Sequence, residues 1–422
     1  MQRRSHKELH KKPKPRWATR TGGSGTYQFD YVLLIAVLVL LAIGLSEVYS
    51  ASSHTAGFQR DDPHFYVKSH LFRVLLGVLA MVGVFQLSWR HLVRAPWTLL
   101  WLSIGLLVLV LVMGVRVHGA RRWLRLGVMG FEPSEFARFA MVVFVASKLA
   151  AWSHLRDWEQ GTVELAKAFG ATLVLAGLIV LQPDIDTAGL MIVVFLLMLT
   201  FAGVERGLVL MSWTTAISCA AVLMVVFGHF QSRVVDWLVF RFGWGEARSD
   251  AHTQVSASLA GLASGGLVRF NPGQGDLKYS FLPMAFSDFV FAIVGEEFGL
   301  VGALAVVGLF GVVVWRGMEI AIHAPSQEAR LVAAGLTTTI GLYAVLNMLV
   351  VTGMAPTSGL PLPFVSYGGT AMVMNLAAVG ALLAISREAV QGAEGYLTSA
   401  GYRERLRLRG WGVSRQTRSR RF

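Results

Sequence analysis

The chain has 422 residues, 54% of them hydrophobic, with a mean hydropathy of +0.56 and a formal net charge of +13. Repeated apolar runs of roughly 18 residues or more exclude a water-soluble globule and mark a polytopic membrane protein. The positive charge is confined to the two ends, with eight Lys or Arg against Glu8 in residues 1–20 and nine Arg against three Glu in 387–422, which argues against a nucleic-acid surface and for tails held on the cytoplasmic side.

Cys219, the single cysteine, lies in an apolar run, which excludes a disulfide framework and a thiolate zinc site. The first apolar run follows a basic tail as a signal peptide does. It is long for that role and its loss would leave an odd number of spans, so it reads as a retained anchor.

Hydropathy places ten spans at about 30–49, 69–87, 97–115, 134–151, 168–182, 185–203, 208–228, 288–315, 331–352 and 368–386. The expected fold is therefore all-α, because backbone groups in hydrocarbon must be satisfied within their own segment. An even number puts both termini on one side, and Arg90, Arg94, Arg156, Lys167, Arg316 and Arg330 in the connections make that side cytoplasmic. The expected organisation is a basic tail over 1–29, a ten-span membrane domain over 30–386 with a large extracytoplasmic loop at 229–287, and a second basic tail over 387–422.

Three outward segments depart from plain connectors. Residues 116–133 carry Arg116, Arg121, Arg122 and Arg125 where arginine should be scarce. Either a short amphipathic helix anchors at the headgroups through Trp123, or the guanidinium forks make a cationic surface for phosphate. The loop 229–287 contains an amphipathic stretch at 231–240, with Arg233 and Asp236 on its polar side, and a second candidate helix at 252–263 closed by Gly265-Gly266. Residues 352–369 hold three prolines and four glycines among apolar residues, a composition that forbids a continuous helix and fits a re-entrant loop buried in protein.

Ionisable residues in or near spans are costly and become site candidates. Glu135 and Arg138 are three apart on one helical face. Asp184 and Asp186 follow Pro183 at a turn where either could cap the next helix. Asp288 stands where the long loop enters the eighth span, at a helix start whose dipole favours the ionised carboxylate. Glu296 and Glu297 lie roughly 12–13 Å deeper and, beside Gly295 and Gly299, read as inter-helix structural groups.

The blocks Gly119-Ala-Arg-Arg-Trp-Leu-Arg-Leu-Gly127, Pro133-Ser-Glu-Phe-Ala-Arg138, Gln182-Pro-Asp184, Ser287-Asp-Phe-Val-Phe-Ala-Ile-Val-Gly-Glu-Glu-Phe-Gly299 and Gly359-Leu-Pro-Leu-Pro-Phe-Val-Ser-Tyr-Gly-Gly369 together resemble the signature segments of the SEDS family (shape, elongation, division and sporulation), in the family's order. Pro356-Thr357 and the basic N-terminal tail look more like the division branch, FtsW, than the elongation branch, RodA. The resemblance implies a glycosyltransferase that polymerises lipid II at the outer face of the bacterial inner membrane, at the septum. It implies Asp288 as the catalytic carboxylate, and Glu135 with Arg138 as a pair facing a central cavity.

Substrate-binding candidates are Arg121, Arg122, Arg125 and Lys278 for pyrophosphate, with Glu135, Arg138, Asp184, Ser366 and Tyr367. The chain departs from the family where Arg138 replaces Lys, where Asp186 replaces Gly, and where Met284 and Phe286 replace polar neighbours of the aspartate. Those last two raise the alternative of a non-catalytic division scaffold; a RodA-like elongation polymerase and a flippase for lipid-linked sugar are the others. The implied partners are a class B penicillin-binding protein and division-complex membrane proteins, together with lipid II, polyprenyl pyrophosphate and membrane lipid, with no nucleic acid. No cofactor is certain; a divalent cation, Mg or Mn, would accompany pyrophosphate, but His118, His229 and His252 are too scattered to form a ligand cluster.

Overall fold

The computed structural model describes residues 29–60, 64–117, 120–126, 129–155, 158–226, 228–243, 250–271, 273, 275 and 285–408. The elements, in chain order, are α1 (Tyr31–Arg60), α2 (Phe65–Leu87), α3 (Trp89–Arg94), α4 (Pro96–Met113), β1 (Val115–Val117), β2 (Ala120–Leu126), β3 (Met129–Phe131), α5 (Pro133–His154), α6 (Trp158–Val180), α7 (Ile185–Ala202), α8 (Arg206–Val226), α9 (Gly228–Phe242), α10 (Asp250–Ser264), α11 (Ala285–Asp288), α12 (Val290–His323), α13 (Gln327–Val351) and α14 (Gly369–Leu408). Ten of these helices are long and apolar enough to cross a membrane, among the described residues.

Local chemistry sets many of the boundaries. Pro96 and Pro133 open α4 and α5 at positions where a missing N–H costs nothing. Asp184 and Ser326 accept hydrogen bonds from Thr187 and Ala329 as N-caps of α7 and α13, and α7 stops at Gly203 in the left-handed region. The sixth helix begins at Trp158, ten residues before the hydropathy boundary at 168, and Glu164, ion-paired with Lys167 and Lys148, supports its polar second and third turns. Likewise α12 runs on past 315 to His323, and α14 continues past 386 to Leu408, so the boundary drawn at 386 falls inside a helix.

The segment 116–131 corrects the reading of a short amphipathic helix there: among its described residues β1, β2 and β3 make a three-stranded antiparallel sheet, with Arg116 opposite Arg121 and Arg125 opposite Gly130, set into an otherwise helical membrane fold. Its alternating residues suit a pleated strand, whose side chains point to opposite faces in turn.

Helices α5 and α14 form the centre of the bundle, with 72% and 83% of their spanning windows buried, whereas α8 is peripheral at 6%. The segment 352–368 enters the bundle without a helix, as its prolines require. Leu362, Phe364 and Val365 are almost fully buried, and a Cβ on Gly44 of α1 would stand 2.7 Å from the Phe364 carbonyl oxygen. Glycine at 44 is what lets the loop backbone lie directly on a helix.

The expected helices of the long loop are present as α9 and α10. At its end α10 packs on α12: Gly299, at φ 69°, breaks the helical path, and Leu300 N–H donates to Gly266 O at 3.0 Å. Glu297 is buried and accepts from Ser50 Oγ at 2.5 Å and from Gly273 N–H at 2.9 Å. Glu296 is also buried, against Gly275. The two acids therefore join the loop to α12, and Glu297 ties it to α1 as well, in agreement with their structural reading.

Candidate active site

Asp288 is the last residue of the short α11, and Phe289 then caps α12. The carboxylate thus stands just before the long helix and not in its first turn. Burial pushes its carboxyl up from the ordinary value, while the Ser287 hydroxyl, donating at 2.8 Å, and the charge of Arg233 oppose that shift. Desolvation outweighs the expected help from the helix dipole. Asn347 Nδ2 of α13 donates to Asp288 O at 2.8 Å and to Leu360 O at 2.9 Å, binding α11 and the proline-rich loop to one side chain. A Cβ on Gly359 would lie 4.0 Å from Asp288 Oδ2, so the loop backbone runs beside the carboxylate.

The sheet distributes the arginines. On β2 the side chains of Arg121 and Arg125 share one face and Arg122 takes the other. Arg122 reaches the α6–α7 turn, ion-pairing with Asp184 Oδ1 at 3.4 Å and donating to the carbonyls of Gln182, at 3.3 Å, and Pro183. Arg121 folds back to donate to Leu111 O at 3.1 Å, and Arg125 is exposed. The three arginines grouped by sequence are thereby separated, and Arg122 alone of them joins the acidic turn. Burial pushes the Asp184 carboxyl up, and Arg122 opposes it.

Two residues later, Asp186 Oδ2 pairs with Arg233 Nη1 of α9 at 2.6 Å. A second contact, Trp237 Nε1 donating to Gly353 O at 3.0 Å, ties α9 to the proline-rich loop. Arg233 therefore links the α6–α7 turn to the surroundings of Asp288. Its amphipathic position was legible in the sequence; its partner, 47 residues away, was not.

Glu135 and Arg138 form the expected pair, at 2.5 Å and buried. Arg138 also donates to Asn375 Oδ1 at 3.3 Å and lies over the Tyr343 ring at 3.9 Å. Glu132, which sequence reasoning missed, caps the same helix. Burial, followed by the charges of Glu135 and Asp184, pushes its carboxyl up to about 8, with Arg122 opposing. Its N–H donates to Thr370 Oγ1 at 2.8 Å. The acids beside Pro133, Glu132 and Glu135, and the Asp184 beside Pro183 that acts on them were visible only as separate motifs.

Ser366 is buried and accepts from Leu362 N–H at 2.8 Å, which shapes the loop itself. Tyr367 OH donates to Ser69 Oγ of α2 at 3.3 Å. Lys278 and Met284, and the side chain of Phe286, lie outside the described residues. Among the described residues no group of three or more His, Cys, Asp or Glu side chains is placed to hold a metal ion. The arrangement offers Asp288 as a desolvated carboxylate beside the loop, cations shared with acidic neighbours, and a buried loop at one end of the bundle. That set suits proton abstraction beside a developing anion.

The profile of the FtsW, RodA and SpoVE family, described as cell cycle protein, matches residues 31–391. A probable peptidoglycan glycosyltransferase FtsW of Trichlorobacter lovleyi is 33% identical over 371 residues, covering 85% of this chain and 93% of that protein. Stage V sporulation protein E of Bacillus subtilis is 34% identical over 367 residues, covering 85% and 97%. Among solved structures, a chain from a peptidoglycan synthase complex, described as coordinating polymerization and crosslinking, superposes with a TM-score of 0.69 at 26% identity, covering 86% of this chain and 99% of that one. The rod shape determining protein RodA of Thermus thermophilus superposes at 0.62 with 26% identity, covering 85% and 97%.

Proposed function

Because the chain belongs to the FtsW/RodA/SpoVE family, we propose that it is a peptidoglycan glycosyltransferase that polymerises lipid II at the outer face of the inner membrane, in septal synthesis. The relatives named probable peptidoglycan glycosyltransferase FtsW support the activity, and the family's description as cell cycle protein supports the division setting. The observation that carries the mechanism is the placement of Asp288: a half-buried carboxylate beside Gly359 of a non-helical loop, with the Arg233 cation acting on it.

In this reading the 4-hydroxyl of an acceptor sugar gives its proton to Asp288 while its oxygen attacks the anomeric carbon of a donor. The bond from that carbon to pyrophosphate breaks, and the electron pair leaves with the pyrophosphate. A leaving group that departs as a stable anion needs charge neutralisation more than a proton. Arg122 and exposed Arg125 are the cations for that role, with Arg121 holding the sheet to α4. Lys278 keeps its place as a pyrophosphate ligand on sequence grounds alone.

Glu135, Arg138 and Asp184 set the field around the site, and Ser366 with Tyr367 fixes the loop that borders it. A divalent cation such as Mg or Mn would find one carboxylate at Asp288 and would take its other ligands from phosphate and water. The synthase-complex neighbour supports a class B penicillin-binding protein as partner. The basic tail residues suit docking to anionic lipid and division-complex proteins.

The test is lipid II polymerisation by wild type and Asp288→Asn, each with and without the cognate penicillin-binding protein. Glycan chains from wild type, and a loss of about 100-fold or more in Asp288→Asn, are expected for removal of a general base. Equal rates would end the assignment of Asp288.

A further inference from the structure

The second span carries three basic residues that the mechanism above does not use, Lys68, His70 and Arg73. His70 and Arg73 lie three apart on α2, five and eight residues from its start, within the spanning segment. Charge at such depth is costly unless it is paired. Arg73 has no hydrogen bond or ion pair to any described residue; its guanidinium carbon lies 4.3 Å from the centre of the Tyr367 ring, and its Nε is buried without a partner. His70 is fully buried, and neither Nδ1 nor Nε2 has a partner. A neutral imidazole carries one donor and one acceptor, so two hydrogen-bonding positions stand open beside an uncompensated cation.

The Tyr367 ring covers both residues, 5.7 Å from His70 and also 5.7 Å from Tyr66, and its hydroxyl is tied to Ser69. The cluster is joined to the Asp288 end of the molecule. A Cβ on Gly369 would meet Arg73 Nε at 3.8 Å and Gly130 O of β3 at 3.4 Å, and the adjoining Thr370 accepts from Glu132 N–H. Glu132 in turn feels Arg122 and Asp184. Two polar centres are thus linked through the sheet, one whose cation Arg122 is shared with a carboxylate and one whose cation has no counter-ion among the described residues.

We propose that Arg73 and His70, closed by Tyr367, form a second anion subsite that takes the pyrophosphate headgroup of the second of two lipid-linked sugars. The inference rests on the lipid II reading, because joining two lipid-linked sugars brings two pyrophosphates to one protein while only one departs. Its chemistry is that of a phosphate ester at the root of a lipid tail: guanidinium for the charge, imidazole N–H for a phosphate oxygen, and the open imidazole nitrogen for a sugar hydroxyl. An anionic phospholipid offers the same phosphate without the sugar, and the experiment separates the two.

Full-length protein in detergent would be titrated with polyprenyl pyrophosphate, and bound copies counted by native mass spectrometry, with phosphatidylglycerol as competitor. Two copies are expected on wild type and on Asp288→Asn. Arg73→Gln should lose about tenfold or more in affinity for one copy, and Arg73→Lys, which keeps the charge and reports that α2 is intact, should retain both. Phosphatidylglycerol should leave the Arg73-dependent copy in place. Two copies at wild-type affinity in Arg73→Gln, or equal displacement by phosphatidylglycerol, would overturn the subsite. Two bound copies, one of them Arg73-dependent, on a protein that polymerises nothing would instead overturn the polymerase reading and leave the subsite standing.

Discussion

The two ends of the bundle treat charge differently. At the end bearing the termini, Arg316 is enclosed by its own carboxylates, with Asp30 Oδ2 at 2.7 Å and Glu319 Oε2 at 2.8 Å, and the Asp30 N–H donates to Ser386 Oγ at 3.1 Å. One network closes α1, α12 and α14, and Lys148–Glu164–Lys167 does the same for α5 and α6. At the opposite end Arg138 is paired with Glu135, but the other cations are shared or unmatched: Arg122 divides itself between a carboxylate and two carbonyls, Arg233 between Asp186 and the field at Asp288, and Arg73 has no counter-ion among the described residues. Self-neutralised charges hold helices together. Incompletely neutralised charges keep attraction in reserve for an anion from outside.

The largest effect that should follow concerns the closed network. Arg316→Leu strands Asp30 in a buried site and should cost about 3–5 kcal/mol, read as lost folded protein, with specific activity per folded molecule kept. Arg122→Gln should do the reverse. We expect kcat/KM for lipid II to fall about 10- to 100-fold, since each factor of ten corresponds to about 1.4 kcal/mol, with a smaller change in thermal midpoint. If Arg316→Leu reduced turnover selectively, or Arg122→Gln only unfolded the protein, the contrast between the ends would fail.

The next effect is on pH. A base must be deprotonated to act, so a raised Asp288 pKa moves the acid limb of kcat/KM upward from the ordinary carboxylate value. Arg233→Gln removes an opposing cation and should shift that limb higher still, whereas Arg233→Lys should restore it; an unmoved limb would detach Arg233 from Asp288.

Glu132, pushed up to about 8, is protonated at neutral pH. Glu132→Gln should therefore change activity at pH 7 by less than about twofold and keep activity above pH 8, where wild type gains a repelling carboxylate. The same sign holds for stability. The folded state retains a proton that the unfolded chain loses near pH 4.3 (about, for a free Glu), so the contribution is present at low pH and is lost as pH rises through about 8. A thermal midpoint in wild type that does not fall over that window relative to Glu132→Gln would refute this protonation state. Smallest of all, Arg90→Gln at the terminus-bearing end should cost at most about 1 kcal/mol, because the Arg90–Glu388 pair is solvent-screened.

The sequence by itself determined the ten apolar spans, the two loop helices, the non-helical 352–368 segment and the Glu135–Arg138 pair. In each case the information is local: hydrocarbon demands apolar length, proline removes a donor, and residues three apart on a helix meet. The carboxylate at 288 was legible as well, because a charge at a span boundary stands out against apolar neighbours. Only the tertiary structure decided that 116–133 is a sheet, that Arg122 parts from Arg121 and Arg125, that Asp186 holds Arg233, and that His70 and Arg73 face Tyr367 across nearly three hundred positions. Those outcomes depend on which distant backbone a side chain meets, and the strength of an electrostatic interaction depends on how much water the meeting leaves behind. Spacing along one chain encodes neither quantity.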